Sequence, residues 1–365
     1  MIVAQDIPTL LHVFSTFRVG GPQVRFCALA NHFGGAFRHV IFAMDGCYDC
    51  REQVAAGVPV DVAQVAVRKG DTIGNYWRFR SYLRTCGADL LLTYNWGAIE
   101  WAMANRPQLL RHIHVEDGFG PEEALGQLHR RVLARRAVLA RSTVVVPSRT
   151  LEHLALNVWM LNPARVRYIP NGIDCARFAA PGTEPLLWPG QGPIIGTVAI
   201  LRPEKNLMRL LDAFARVRVK TQCRLLIAGD GPERTKLEAH AAALDLAKDV
   251  LFCGYIAQTE KIYAALEIFA LSSDTEQMPT SILEAMAAGL PIVATKVGDV
   301  ASMMSAENQP FVVALDSATL ADALGELLND AALRTKVAAA NQAVARDRFG
   351  EEAMFAAYRG LFLGR

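Results

Sequence analysis

The sequence predicts an α/β chain of two open, doubly wound parallel-sheet domains, and three observations carry that expectation. Short apolar, β-branched runs alternate with amphipathic helical stretches almost throughout. The runs are nearly continuous in apolar residues, the pattern of strands covered by helices on both faces. A stretch rich in proline and glycine, 181–193, splits the alternation into two sets and reads as a linker. The composition agrees. Of 365 residues, 52% are hydrophobic and 20% charged, which excludes a disordered chain. A net charge of +2 is too balanced for a general nucleic-acid binder. The first 180 residues carry +6 and the remainder −4, so the first half is the one that favours an anionic partner.

The first set of strands is expected at 10–15, 38–43, 59–65, 88–93, 110–115, 143–147 and 165–169, each an apolar run ending in small or polar residues. The second set is expected at 194–199, 223–228, 250–254, 268–272, 291–295 and 310–314. The helix after 194–199 turns Leu207, Leu210, Leu211 and Phe214 inward. Beyond 314 the period becomes helical, over 317–329, 332–348 and 351–363. The last of these puts Met354, Tyr358 and Leu361 on one stripe, which needs an apolar surface to cover.

No run reaches the ~18–20 apolar residues of a membrane span. The first residues, MIVAQDIPTLLHVF, lack the basic start of a secretory signal. Seven scattered cysteines suit reduced thiols, so a cytoplasmic setting without structural disulfides is expected. The Cys47-x-x-Cys50 pair lacks two further ligands nearby, and no metal site is expected.

In open parallel sheets, ligands bind at the carboxyl ends of the strands. After strand 268–272 comes a loop with Glu276 and Gln277. Met278, Pro279, Thr280 and Ser281 then lead into a helix that Gly289 stops. That helix start is an anion site through its free N–H groups and dipole. Glu284 lies about five residues into the helix, roughly 7 Å along its axis. The pair can clamp hydroxyls on two sides of a diphosphate. It can equally be one buried polar group and one solvated loop acid. Arg202 and Lys205 stand at another helix start, where basic residues oppose the dipole unless they serve an anion.

Glu276 and Glu284 are separated by seven residues. With PEKN at 203–206, AGDGPE at 228–233, EQMPTSILEAMAAGLPIVAT at 276–295 and PNGID at 170–174, the chain resembles the family 4 glycosyltransferases of GT-B fold. The likeness is dense over 140–300 and thinner over 11–120. It implies two Rossmann-like domains facing a cleft, the first (1–180) for the acceptor and the second (194–350) for a nucleotide-sugar donor. It also implies a final helix, 351–365, returning to the first domain. The implied reaction moves a sugar to an acceptor hydroxyl with retention and without a metal or other cofactor. Its setting would be cell-surface polysaccharide or glycolipid synthesis. Glu284 would hold the ribose, Glu276 the donor sugar, residues 277–280 the sugar and diphosphate, and Lys205 the diphosphate. Gly254 and Tyr255 would face the base, and Gly20-Gly21 would let backbone approach the donor phosphates.

The sequence departs from the family in two places. Ile200 stands where a second cation is usual, so either Arg202 reaches the phosphates or Lys205 acts alone. Gln277 replaces a small glycine. A nonenzymatic sugar-nucleotide binder, or an epimerase or phosphorylase of the same fold, is the alternative reading.

The acceptor side is expected at Tyr94, Asn95, Trp96, His114, Glu116 and Asp117, all at strand ends. His114 has a counterpart in the family; Tyr94 to Trp96 offer an aromatic face beside an amide. A plain core role for Trp96 is equally open. The basic helix 129–141, with Arg130, Arg131, Arg135, Arg136 and Arg141, is either a solvated flank or a peripheral contact with an anionic membrane.

Overall fold

The computed structural model describes residues 7–119, 121–123, 126–180, 184–186, 188 and 190–365. The chain divides into two units. One runs to Pro170 and takes in Phe355–Arg365; the other is Asn171–Met354.

The first unit is a seven-stranded parallel sheet in the order β3-β2-β1-β4-β5-β6-β7. Its strands are β1 (Thr9–Phe14), β2 (Arg38–Ala43), β3 (Val60–Val62), β4 (Leu90–Tyr94), β5 (Arg111–Val115), β6 (Thr143–Val146) and β7 (Val166–Tyr168). β1 shows why the run is apolar on both faces. Leu11 and Val13 enter a core with Phe42, Phe79 and Trp101. Phe14, facing the other way, stacks on Tyr94 at 4.0 Å between ring centroids.

The second unit is a six-stranded parallel sheet in the order β10-β9-β8-β11-β12-β13. Its strands are β8 (Ile194–Val198), β9 (Arg224–Ala228), β10 (Val250–Gly254), β11 (Ile268–Leu271), β12 (Ile292–Thr295) and β13 (Val312–Val313). Alternate residues of β9 feed opposite cores. Leu225 and Ile227 meet Leu207, Leu210, Leu211 and Phe214. Leu226 and Ala228 meet Tyr263, Ile282 and Met286.

Three expectations are corrected. The division falls at Pro170/Asn171, ahead of 181–193. Asn171 Nδ2 donates to the Met278 carbonyl at 3.0 Å, and Ile173 pairs with Gly350, so 171–180 belong to the second unit. Part of the expected linker, residues 181–183, 187 and 189, lies outside the described residues. β13 has two residues rather than five, because Pro310 sits in a 3-10 turn over Ala306–Phe311 and offers no N–H to a ladder. In the last helix (Glu351–Leu363) the buried stripe is Met354, Phe355, Tyr358 and Phe362, with Phe362 in the place expected for Leu361. Phe355 stacks on His32 at 4.0 Å and Phe362 packs against Phe37 at 5.4 Å, both in the first unit. Among the described residues no helix is long and apolar enough to cross a membrane.

Candidate functional site

In the second unit the expected donor residues stand at the carboxyl ends of β8, β10 and β11. The 3-10 turn Pro203–Lys205 follows β8 and ends on Asn206, which takes a left-handed φ of 41°. That kink reverses the chain so that Asn206 caps the helix Leu207–Arg218 and its Nδ2 reaches Asp274 at 3.0 Å. Arg209 also grips Asp274, at 2.7 Å, and Ser272 Oγ donates to the Lys205 carbonyl at 3.0 Å. The PEKN turn and the loop after β11 are thus laced together. Lys205 Nζ lies 2.5 Å from Glu276 Oε1, and Ser273 Oγ donates to the same oxygen at 2.7 Å. Arg202 is held loosely, 3.9 Å from Glu204, with 54% of its side chain exposed.

The helix Thr280–Ala287 begins where the sequence placed it, with Pro279 as N-cap and no side chain capping its first N–H groups. Those donors are unsatisfied within the helix by geometry. Carbonyls of the preceding loop turn inward: Asn171 Nδ2 donates to Met278, and Asp299 N donates to Gln277 at 3.1 Å. The loop lies on Gly298, whose φ is +49° and where an added Cβ would fall 2.0 Å from the Glu276 carbonyl oxygen. Glu284 accepts a hydrogen bond from Tyr263 Oη at 2.7 Å through Oε2. Burial pushes the Glu284 carboxyl up to about 7, partly offset by the Tyr263 hydrogen bond. The Gly254 carbonyl accepts from Gly229 N at 2.8 Å, which ties two loops together, and Tyr255 is 58% exposed beside them. Tyr263 and Gly298 had no signal in the sequence reading: a tyrosine inside an apolar helical run reads as core, and a lone Gly-Asp as a turn.

In the first unit, Gly20 and Gly21 open the helix Gly21–Phe33, with Pro22 in its first turn. An added Cβ on Gly21 would meet nothing within 4 Å, so backbone is accessible there; on Gly20 it would meet Gln23 Oε1 at 2.9 Å. The six expected acceptor residues separate into two kinds. His114 and Glu116 are fully buried. Thr93 Oγ1 lies 2.8 Å from both His112 Nε2 and His114 Nδ1, and His114 Nε2 is 3.5 Å from Glu116. Arg135 Nε donates to Glu116 at 3.1 Å and both its Nη atoms to Glu123 at 3.0 Å, among Trp96, Phe119 and Trp159. Tyr94 is buried too, its Oη 3.1 Å from His12 Nδ1. Asn95, Trp96 and Asp117 are partly accessible. Asn95 holds the Asp117 N–H at 2.6 Å, and Asp117 forms a bidentate pair with Arg25 at 2.5 and 2.8 Å. Arg25, which the sequence reading missed, follows the double glycine by one helical turn. The basic helix (His129–Leu139) is likewise corrected: Arg135 is internal, while Arg130, Arg136 and Arg141 stay exposed. The Cys47-x-x-Cys50 residues face different partners, Arg18 for Cys47 and Cys27 for Cys50, at 3.2 and 3.8 Å.

Two family profiles match the chain. That described as Glycosyltransferase Family 4 covers residues 19–177, and that described as Glycosyl transferases group 1 covers residues 192–330. The lipopolysaccharide core biosynthesis glycosyltransferase LpsE of Rhizobium meliloti is 29% identical, over 55% of this chain and 58% of its own length. The putative glycosyltransferase EpsF of Bacillus subtilis is 34% identical, over 54% and 53%. The chain spans about half the length of the curated relatives it matches. Among solved structures, HepE of Anabaena in complex with UDP and glucose superposes with a TM-score of 0.82 at 18% identity, over 98% of this chain and 100% of that one. The architecture is therefore GT-B.

Proposed function

The chain belongs to the family 4 glycosyltransferases, and from that premise we propose that it moves a sugar from a nucleotide-diphosphate sugar to an acceptor hydroxyl, with retention at the anomeric carbon. The observation that carries this reading is the pairing of Lys205 with Glu276 immediately before an uncapped helix start, with Glu284 inside that helix. A diphosphate seated there would meet the first N–H groups of Thr280–Ala287 and the Lys205 ammonium. Both stabilise the negative charge that develops on the leaving group, which is where electrostatic catalysis is strongest. Lys205 would exchange Glu276 for phosphate, which frees the Glu276 carboxylate to accept hydrogen bonds from the donor sugar. Glu284, one and a half turns on, would take the ribose hydroxyls. With this set the protein itself supplies the charge stabilisation, and a metal is not required. In a retaining reaction the departing phosphate takes the acceptor proton, so the acceptor side needs positioning groups rather than a base. Asn95, Trp96 and Asp117 are the accessible residues suited to hold a saccharide. The relatives' names favour an acceptor used in lipopolysaccharide or other cell-surface polysaccharide synthesis. The three exposed arginines of 129–141 are the remaining candidates for peripheral contact with an anionic membrane.

The test is a thermal-shift screen of UDP-, GDP- and ADP-sugars. The matching donor, at about 100 times its dissociation constant, adds about 2.7 kcal/mol of stability. Proton NMR of the product formed from that donor then reads the anomeric configuration. An inverted product would overturn the retaining assignment, and no shift with any nucleotide sugar would overturn the donor site.

A further inference from the structure

The first unit carries a second cluster of cationic groups that the proposed reaction does not use. A cleft of about 530 Å³ is lined by Arg111, Arg141, Arg165, Arg167 and Arg365, with Gln108 beside them. It lies at the amino ends of the strands: Arg111 opens β5, and Arg165 and Arg167 bracket the first residue of β7. Tyr94, Glu116 and Asp117 stand at the opposite ends, roughly 17 Å away for five residues of strand at ~3.3 Å each. The cleft is therefore separate from the expected acceptor residues.

Among the described residues none of these five arginines, all of them exposed, forms a salt bridge. The guanidinium groups of three of them, Arg111, Arg165 and Arg167, are instead tied to backbone. Arg111 donates to the carbonyls of Leu361 and Phe362 at the end of the last helix. Arg165 Nη1 donates to the Arg141 carbonyl and Arg167 Nη1 to the Val166 carbonyl, both at 3.0 Å. Two bonds from Arg111 and one each from Arg165 and Arg167 hold these side chains and leave most of each group's five donors unused. Like charges gathered in one concavity repel unless an anion neutralises them. The planar fork of arginine matches phosphate oxygens two at a time.

We propose that this cleft binds a multiply charged phosphate group, free or carried on a lipid headgroup, as a site distinct from the donor site. The size admits a small ligand fragment rather than a protein segment. Arg141, Arg165 and Arg167 supply the ligand contacts, while Arg111 anchors the wall.

The experiment uses the full chain with two probes. Isothermal titration with inorganic pyrophosphate is run on the wild type, on Arg165→Ser/Arg167→Ser, on Arg141→Ser and on Lys205→Ala. Flotation with phosphatidylglycerol and phosphatidylcholine vesicles is run on the same proteins. The expected result is binding weakened at least about tenfold by either arginine change, as lost charge-assisted bonds imply, and kept in Lys205→Ala. Pyrophosphate binding that depends on these arginines assigns a free phosphoanion. Arginine-dependent flotation with phosphatidylglycerol alone, without pyrophosphate binding, assigns the lipid headgroup. The proposal is overturned if neither probe engages the wild type, or if the arginine variants bind both probes as the wild type does. The replaced arginines are exposed, so melting curves that match the wild type verify that those variants fold.

Discussion

Glu284 sets two requirements against each other. Its place inside the helix Thr280–Ala287 suits a ribose contact, yet burial pushes its carboxyl up to about 7. The folded chain therefore holds that proton more tightly than the unfolded chain. Between its ordinary value of about 4.5 and about 7 the native state binds more protons, so stability falls as pH rises through this window and the loss is complete above it. Glu284→Gln removes this titration. Its melting temperature should drop less than the wild type's between about pH 5 and about pH 8, and should lie above it at the higher pH. Equal pH dependence in calorimetry would show that Glu284 is not strained. The same change should weaken nucleoside diphosphate binding about ten- to a hundredfold, the worth of a charged hydrogen bond. Glu276→Gln should leave diphosphate binding nearly intact and lower turnover, because Glu276 precedes the helix and faces the sugar. Titration calorimetry beside steady-state rates separates the two roles; the reverse pattern would invert them. Tyr263→Phe takes away the hydrogen bond that lowers the Glu284 carboxyl. If the ribose binds the ionised form, nucleotide affinity falls as pH drops. In Tyr263→Phe that fall should begin at a higher pH, a shift that loss of packing alone does not give.

At the scale of elements, the donor loop is placed by its contact with one glycine. Gly298 has φ +49°, and a Cβ there would fall 2.0 Å from the Glu276 carbonyl oxygen, a backbone atom that cannot swing aside. Gly298→Ala must push the loop away from the turn and accept about 1–2 kcal/mol of left-handed strain as well. The expected outcome is a melting temperature lowered by several degrees and a larger loss of turnover, since Glu276 and the helix start move together. Gly325, inside the helix Ser317–Asn329 with open space where its Cβ would stand, is the opposite case. Gly325→Ala should stabilise by about 0.5–1 kcal/mol through lower backbone entropy in the unfolded chain, and leave kinetics unchanged. Urea titrations of both variants, with initial rates, check the pair. A Gly298→Ala enzyme with wild-type turnover would mean that the loop does not depend on this contact.

At the scale of the whole molecule, two sheets with separate cores predict more than one unfolding transition, since two-state behaviour belongs to single domains. A nucleoside diphosphate bound at Lys205 and Glu284 should raise the transition of the Asn171–Met354 unit. Scanning calorimetry with and without the ligand reads this directly. A single transition that does not respond to the ligand would count against the donor site. The first unit depends on internal charge instead. Arg135 is fully buried between Glu116 and Glu123, so Arg135→Ala leaves the buried Glu116 without its arginine, while Glu123 keeps Arg131, and should cost about 3–5 kcal/mol.

The sequence by itself determined the repeating strand–helix order, the helix start at Thr280 and the spacing of Glu276, Glu284 and Lys205. These are local properties: apolar periodicity, a proline at a helix start and a glycine at its end are written in consecutive residues. The tertiary structure alone decided which polar residues are sites and which are struts. Glu116 and Asp117 are neighbours in sequence, yet Glu116 is sealed against Arg135 while Asp117 remains partly accessible beside Arg25. Arg131 and Arg135 look like members of a basic surface helix until Trp96, Trp159 and Glu123 fold over them. Burial and partnering depend on side chains far apart in the chain, here Glu116 with Arg135, Tyr263 with Glu284 and Gly298 with Glu276. No pattern along the chain records which of them meet, because that is fixed by the packing of whole helices onto the sheets.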